Sequence, residues 1–86
     1  MAYYVYVLQS QRDKKFYTGY TKDLKKRLRL HYQGRVISTK EDREPLKLIY
    51  FEWGLNEKDA IHRERYLKTT YGKRYLRNRL RNYLTG

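Results

Sequence analysis

Two short runs, residues 3–8 (YYVYVL) and 16–20 (FYTGY), flank the polar stretch 9–15, and together they demand a β-hairpin. Both are rich in aromatic and β-branched residues, which fit a pleated, half-buried surface. Strand alternation puts Tyr4, Tyr6 and Leu8 on one face and Val5 and Val7 on the other. In the second run Tyr17 and Gly19 share a face, opposite Phe16, Thr18 and Tyr20. Tyr6 and Tyr17 are therefore expected side by side on paired strands. Gly19, lacking a side chain, leaves room for something such as another backbone to approach.

The hairpin alone is too small to be stable, so the remaining residues must supply a packing surface. A chain of 86 residues is expected to make one domain over residues 1–86, burying roughly 60 to 65% of its unfolded surface. Eleven of its residues are Tyr, so phenol rings and the eleven Leu must share the core. With no Cys, a disulfide frame and a thiolate metal site are both excluded. The opening apolar run is short and has no basic leader, and nothing reaches the length of a membrane span. The expected location is therefore the cytoplasm, with the nucleoid when bound to DNA, and no membrane partner. Lys and Arg number 21 against nine Asp and Glu, a net charge of +12, which argues for a polyanionic partner such as nucleic acid.

Beyond the hairpin, Thr21 or Asp23 is placed to cap a helix that runs to about residue 33 and stops at Gly34. Leu24, Leu28, His31 and Tyr32 form its apolar stripe, and Arg27 borders that stripe. Lys25, Lys26, Arg29 and Arg35 are expected in solvent. Residues 34–45 read as a long loop of mixed charge, a length common in functional or mobile segments. Residues 46–53 read as a third strand, introduced by Pro45. Asn56, with Asp59 three residues on, opens a second helix expected to end near residue 70 before a stop at Gly72. Its stripe is Ala60, Ile61, Leu67 and Tyr71. A third helix is expected over residues 73–84, with Leu76, Leu80 and Leu84 inward and Arg74, Arg77 and Arg81 on the opposite, basic side. The fold class is α+β: a small antiparallel three-stranded sheet flanked by helices, in the order β-β-α-β-α-α.

Glu64 falls at i+4 from Ala60 and i+3 from Ile61, which aims a carboxylate inward. A carboxylate there must be paired or hydrogen-bonded, or else bind a metal. Arg27, Arg63 and Arg65 are candidates for an ion pair. The other reading is a lone ligand for a hard cation that keeps most of its waters. His31 on an apolar stripe reads first as a hydrogen-bonded core histidine, and His62 as an exposed one. Tyr6 and Tyr17 read first as strand aromatics packed on a helix.

Taken together, these residues resemble the GIY-YIG nuclease family, and in particular its small stand-alone, excinuclease-like members, which are similar to the nuclease component of nucleotide excision repair. The first half-motif stands here as Tyr4-Val5-Tyr6 and the second as Tyr17-Thr18-Gly19, with an eleven-residue step between the two tyrosines. Residues 19–28 (GYTKDLKKRL) are similar to the family's passage into the helix that carries its arginine, at Arg27. His31 matches a histidine found in many members, and residues 60–68 (AIHRERYLK) resemble the helix bearing the metal-binding glutamate, at Glu64. Three departures accompany the match. Tyr4 replaces a glycine, and Tyr20 stands where some members have a lysine. The family's late asparagine has Asn78 and Asn82 as candidates, of which Asn78 is preferred.

The resemblance implies a DNA endonuclease that hydrolyses phosphodiester bonds with one Mg²⁺ or Mn²⁺, held by Glu64. Arg27 would grip the phosphate, Tyr6 would serve as general base, and Tyr17 and His31 would assist. Lys26, Lys73, Arg74, Arg77, Asn78 and Arg81 would contact nucleic acid. Such contacts position a duplex without reading its bases, so specificity is expected to be weak or structure-selective, on double-stranded or branched DNA with RNA also open. A link to DNA repair or recombination follows from the same resemblance. The alternative is a nucleic-acid-binding module of this fold that cuts slowly or not at all.

Overall fold

The computed structural model of the protein describes residues 1–33 and 45–86. The expectations for 34–44, including the helix stop at Gly34 and the setting of Arg35, lie outside them. Three strands, β1 (Tyr3–Ser10), β2 (Phe16–Thr21) and β3 (Leu46–Gly54), form one antiparallel sheet in the order β2-β1-β3. Helices α1 (Leu24–Tyr32), α2 (Glu57–Leu67), α3 (Thr70–Arg79) and the short α4 (Arg81–Thr85) complete the described chain.

Alternation along β1 divides the two faces of the sheet. Val5 and Val7 join Ala60 and Leu67 of α2 and Leu76 of α3 in the buried core, with Phe16, Tyr20, Ile49, Tyr50 and Tyr75 packed at its margin. Full burial of Leu67 and Leu76 stabilises the fold by about 2 kcal/mol each. A register shift between Val7 and Leu8 makes Ile49 an extra residue in β3, so that two neighbours, Ile49 and Tyr50, both reach the core. On the same face Glu52 takes Arg63 of α2 in an ion pair at 2.7 Å and accepts the Tyr50 hydroxyl. The other face carries Tyr4, Tyr6, Phe51 and Trp53, and α1 reaches it through His31.

Local chemistry sets the helix starts. Asp23 caps α1 by accepting from the Lys26 amide at 3.1 Å, and Thr21 accepts from the Asp23 amide just before it. Asn56 caps α2 through the Lys58 amide at 2.8 Å. Of the expected α1 stripe, His31 is buried and Leu24 and Leu28 half-buried, but Tyr32 is exposed.

Two expectations about the last helices are corrected. Gly72 does not end α2; the helix stops at Leu67, and Thr69 turns the chain by donating to the Tyr66 carbonyl and accepting from the Gly72 amide. Gly72 is instead buried in the first turn of α3, where an added Cβ would lie 2.0 Å from the Tyr66 carbonyl oxygen. Its role is close approach, and Tyr71 is left on the surface. The helix expected over 73–84 begins at Thr70 and bends at Leu80, whose φ of −108° and ψ of 18° lie outside helical values. Leu80 still donates to Leu76 and accepts from Leu84, so the bend breaks direction while both sides stay hydrogen-bonded.

Candidate active site

An open cleft of about 700 Å³ lies along β2, walled by α1 on one side and α2 on the other. Tyr6, Tyr17, Arg27, His31 and Glu64 all line it, and so does Lys26. Residues from three separate stretches of sequence are thereby gathered round one opening.

The strand register refines how the tyrosines stand. Tyr6 pairs with Gly19, and Tyr17 pairs with Leu8, so the two phenols are diagonal neighbours on one face instead of direct partners. What fills the space over Gly19 is the Tyr6 ring itself and not another backbone. A Cβ built at Gly19 would lie 2.5 Å from Tyr6 Oη. The phenol is thus led across the glycine toward α1, where Oη meets His31 Nε2 at 2.8 Å and the rings pack edge-on at 5.5 Å. Both residues are buried, Tyr6 at 2% and His31 at 5% exposure.

Burial sets the titration of this pair. It pushes the Tyr6 phenol above its usual range; the charge and hydrogen bonding of Arg27 pull it back in part, and the Glu64 carboxylate adds a smaller upward push. Burial also holds His31 below the ordinary histidine value, with the Arg27 charge acting in the same direction. His31 is therefore neutral at pH 7. With its proton on Nδ1, the ring accepts from the Tyr6 hydroxyl.

Glu64 faces the cleft with 16% of its side chain exposed. Its ion-pair partner is none of the three arginines expected from the sequence. It is Lys68, one helical turn on, at 2.9 Å, while Arg63 is held by Glu52. Lys68 is more than half exposed, so the carboxylate is paired without being sealed.

Glu57 also lines the cleft, but it stands seven residues from Glu64, about 10 Å along the helix axis. Among the described residues no cluster of three or more His, Cys, Asp or Glu is arranged for a metal. The donor set therefore fits a hydrated hard cation on Glu64 and does not fit a closed zinc or calcium cage.

Several lining residues are not apparent from the sequence reading: Glu57, Lys68, Lys22 and Thr18. Glu57 and Lys68 do carry a signal, since i−7 and i+4 from Glu64 share its helix face. Lys22 and Thr18 carry none, because they enter through the strand edge.

The outlying basic residues divide. Lys73 and Arg77 line a second groove elsewhere on the surface. Arg74 stacks on the Tyr71 ring at 5.5 Å, and Arg81 is exposed on α4, separated from the others by the bend at Leu80. Asn78 is exposed on α3 and does not line the cleft. Two residues beyond the buried Leu76, it is turned about 200° round the helix from the inward face.

Residues 2–80 match the family model described as the GIY-YIG catalytic domain. A UPF0213 protein of Clostridium perfringens is 42% identical over 65 residues, 76% of this chain and 69% of the relative. One from Limosilactobacillus reuteri is 43% identical over 68 residues, 77% of this chain and 70% of the relative. Among solved structures, the solution structure of a UPF0213 protein from Bacillus halodurans superposes with a TM-score of 0.55 at 29% identity, covering 88% of this chain and 82% of its own.

Proposed function

The chain belongs to the family of the GIY-YIG catalytic domain, and from that membership and the cleft together we propose that it is a divalent-metal-dependent DNA endonuclease. The observation that carries the reading is the convergence of Tyr6, Tyr17, Arg27, His31 and Glu64 on one open cleft. A pure binding surface has no use for an inward carboxylate beside a buried phenol–imidazole pair.

Hydrolysis of a phosphodiester needs an activated water, charge neutralisation at phosphorus and help for the leaving oxygen. One Mg²⁺ or Mn²⁺ held by Glu64 supplies charge neutralisation when bound. Arg27 gives the phosphate two parallel hydrogen bonds and keeps its charge at any working pH. Tyr6 takes a proton from the attacking water while passing its own to His31 Nε2, so a costly buried phenolate never accumulates. Phosphate binding assists this transfer, because burial chiefly holds His31 low and an anion on Arg27 offsets the smaller part that the Arg27 charge adds. Tyr17 stands at the mouth of the same face and helps orient the phosphate.

Substrate selection is structural or weakly sequence-dependent in this reading, with branched and double-stranded DNA as the substrates and repair or recombination in the cytoplasm as the setting. The test is nicking of branched and linear DNA with and without Mn²⁺, comparing the wild type with Glu64→Ala. Metal-dependent nicking that vanishes in the variant supports the proposal, and full activity in the variant would sink it. One observation favours a second reading, a binding module that does not cut: Lys68 already occupies Glu64. Binding of DNA with no nicking under any divalent ion would select that reading.

A further inference from the structure

A second open groove, of about 790 Å³, lies beside the hairpin turn at the start of β2. The hairpin turn contributes Lys14, Lys15 and Phe16, α3 contributes Lys73 and Arg77, and the bend at Leu80 brings in Tyr83. Four cations thus face one carboxylate, Asp13, which is turned onto the Lys15 amide at 3.0 Å. Among the described residues none of the four is in an ion pair.

Ring faces position the charge in place of carboxylates. The Arg77 guanidinium lies 5.9 Å over Phe16, and the ammonium of Lys47, outside the groove, lies 5.1 Å over the groove's Tyr83. Cation–π contact directs a cation without neutralising it. Four cations against a single carboxylate make the groove strongly positive, the chemistry that suits a polyanion.

Its place in the fold says which polyanion. Phe16 lines the groove and Tyr17, the next residue, lines the cleft, each on its own face of β2. β2 is six residues long and spans roughly 20 Å, so a duplex of more than about six steps at 3.4 Å each can lie along its whole length. We propose that the groove binds the phosphate backbone of the same polynucleotide whose linkage lies in the cleft, on the other face of the edge strand. The assignment rests on the nuclease reading of the cleft and adds to it a second phosphate site.

Fluorescence anisotropy without divalent ions, which excludes cleavage, tests this with labelled DNA and RNA duplexes of roughly 6 and roughly 16 base pairs. The wild type should bind the longer probe at least tenfold more tightly than the shorter. The Lys73→Ala/Arg77→Ala variant should erase that advantage and flatten the slope of log affinity against log salt by about two. Lys14→Ala/Lys15→Ala, on the opposite wall, should act alike, and a retained melting curve shows that either variant is folded. Lys58→Ala/Arg65→Ala removes the same charge from exposed positions outside both sites and should change the slope by less than one unit. The DNA and RNA arms identify which backbone fits. Retained length dependence in both groove variants, or an equal loss in the charge control, overturns the groove while leaving the nuclease reading intact. No binding by the wild type at any length overturns both.

Discussion

The Tyr6 hydroxyl meets His31 Nε2 at 2.8 Å, joining the middle of β1 to the last turn of α1 through two buried side chains. Removing the hydroxyl isolates what that contact does. Tyr6→Phe should lower single-turnover cleavage by about 10² to 10⁴, the range for a general acid–base group. Stability should fall by only about 1 to 2 kcal/mol, the cost of leaving a buried acceptor without its donor. Cleavage kinetics and urea unfolding read the two effects separately.

His31 also makes stability depend on pH. Its folded pKa lies below 6.5, first through burial and then through the Arg27 charge, whereas unfolding restores the ordinary histidine value of 6.5. Between those limits the unfolded chain binds more protons, so stability rises with pH, is complete above about 6.5 and is lost as pH falls. Urea midpoints measured from pH 4 to 8 should show this slope in the wild type, and His31→Gln should flatten it.

Gly19→Ala tests whether the space over the glycine belongs to the phenol. The new Cβ would stand 2.5 Å from Tyr6 Oη and 2.7 Å from Cζ, so the buried ring must leave its contact with His31. The expected cost is about 1 to 3 kcal/mol, as for other overpacked sites. The His31 titration followed by NMR should then move toward the ordinary value. An unchanged His31 resonance with wild-type activity would contradict the proposed geometry.

Lys68 competes with any cation for Glu64. Lys68→Ala should therefore tighten divalent-ion binding several-fold in calorimetry, and Glu64→Gln should abolish it. Equal metal affinity in all three proteins would place the ion elsewhere.

Gly72→Ala should be far more damaging than its position in a helix suggests. The added methyl would meet main-chain atoms of Tyr66 and Leu67 at 2.0 and 2.5 Å, which no rotamer change relieves. A loss of about 3 kcal/mol or more is expected, read as a lowered melting temperature or loss of soluble protein.

Much of this architecture is legible in the residues themselves. The alternation of residues 3–8 puts Val5 and Val7 on one face and Tyr6 on the other, and the structure agrees, with Val5 and Val7 in the core and Tyr6 lining the cleft. Glu64 is legible from helical spacing for the same reason. Register is not: whether Tyr6 faces Tyr17 or Gly19 depends on how the hairpin turn closes, and the polar stretch 9–15 leaves that open. Gly72 misleads because a glycine near a helix end signals a stop, while close packing between two helices leaves no mark on sequence. The partner of Glu64 is missed for a different reason: arginine is the stronger partner for a carboxylate, yet the lysine at i+4 is the nearer one.

The parity of β1 has one more consequence. Its odd positions Val5 and Val7 face the core, while the hydroxyl of its even position Tyr6 faces the cleft, although both faces of the strand are buried. In the nuclease reading, drift at Val5 or Val7 erodes lifetime and abundance, whereas loss of the Tyr6 hydroxyl with the ring kept removes the base at a smaller cost in stability and leaves the basic surface untouched. In that reading a lineage could retire the nuclease and keep a binder by altering a single hydroxyl.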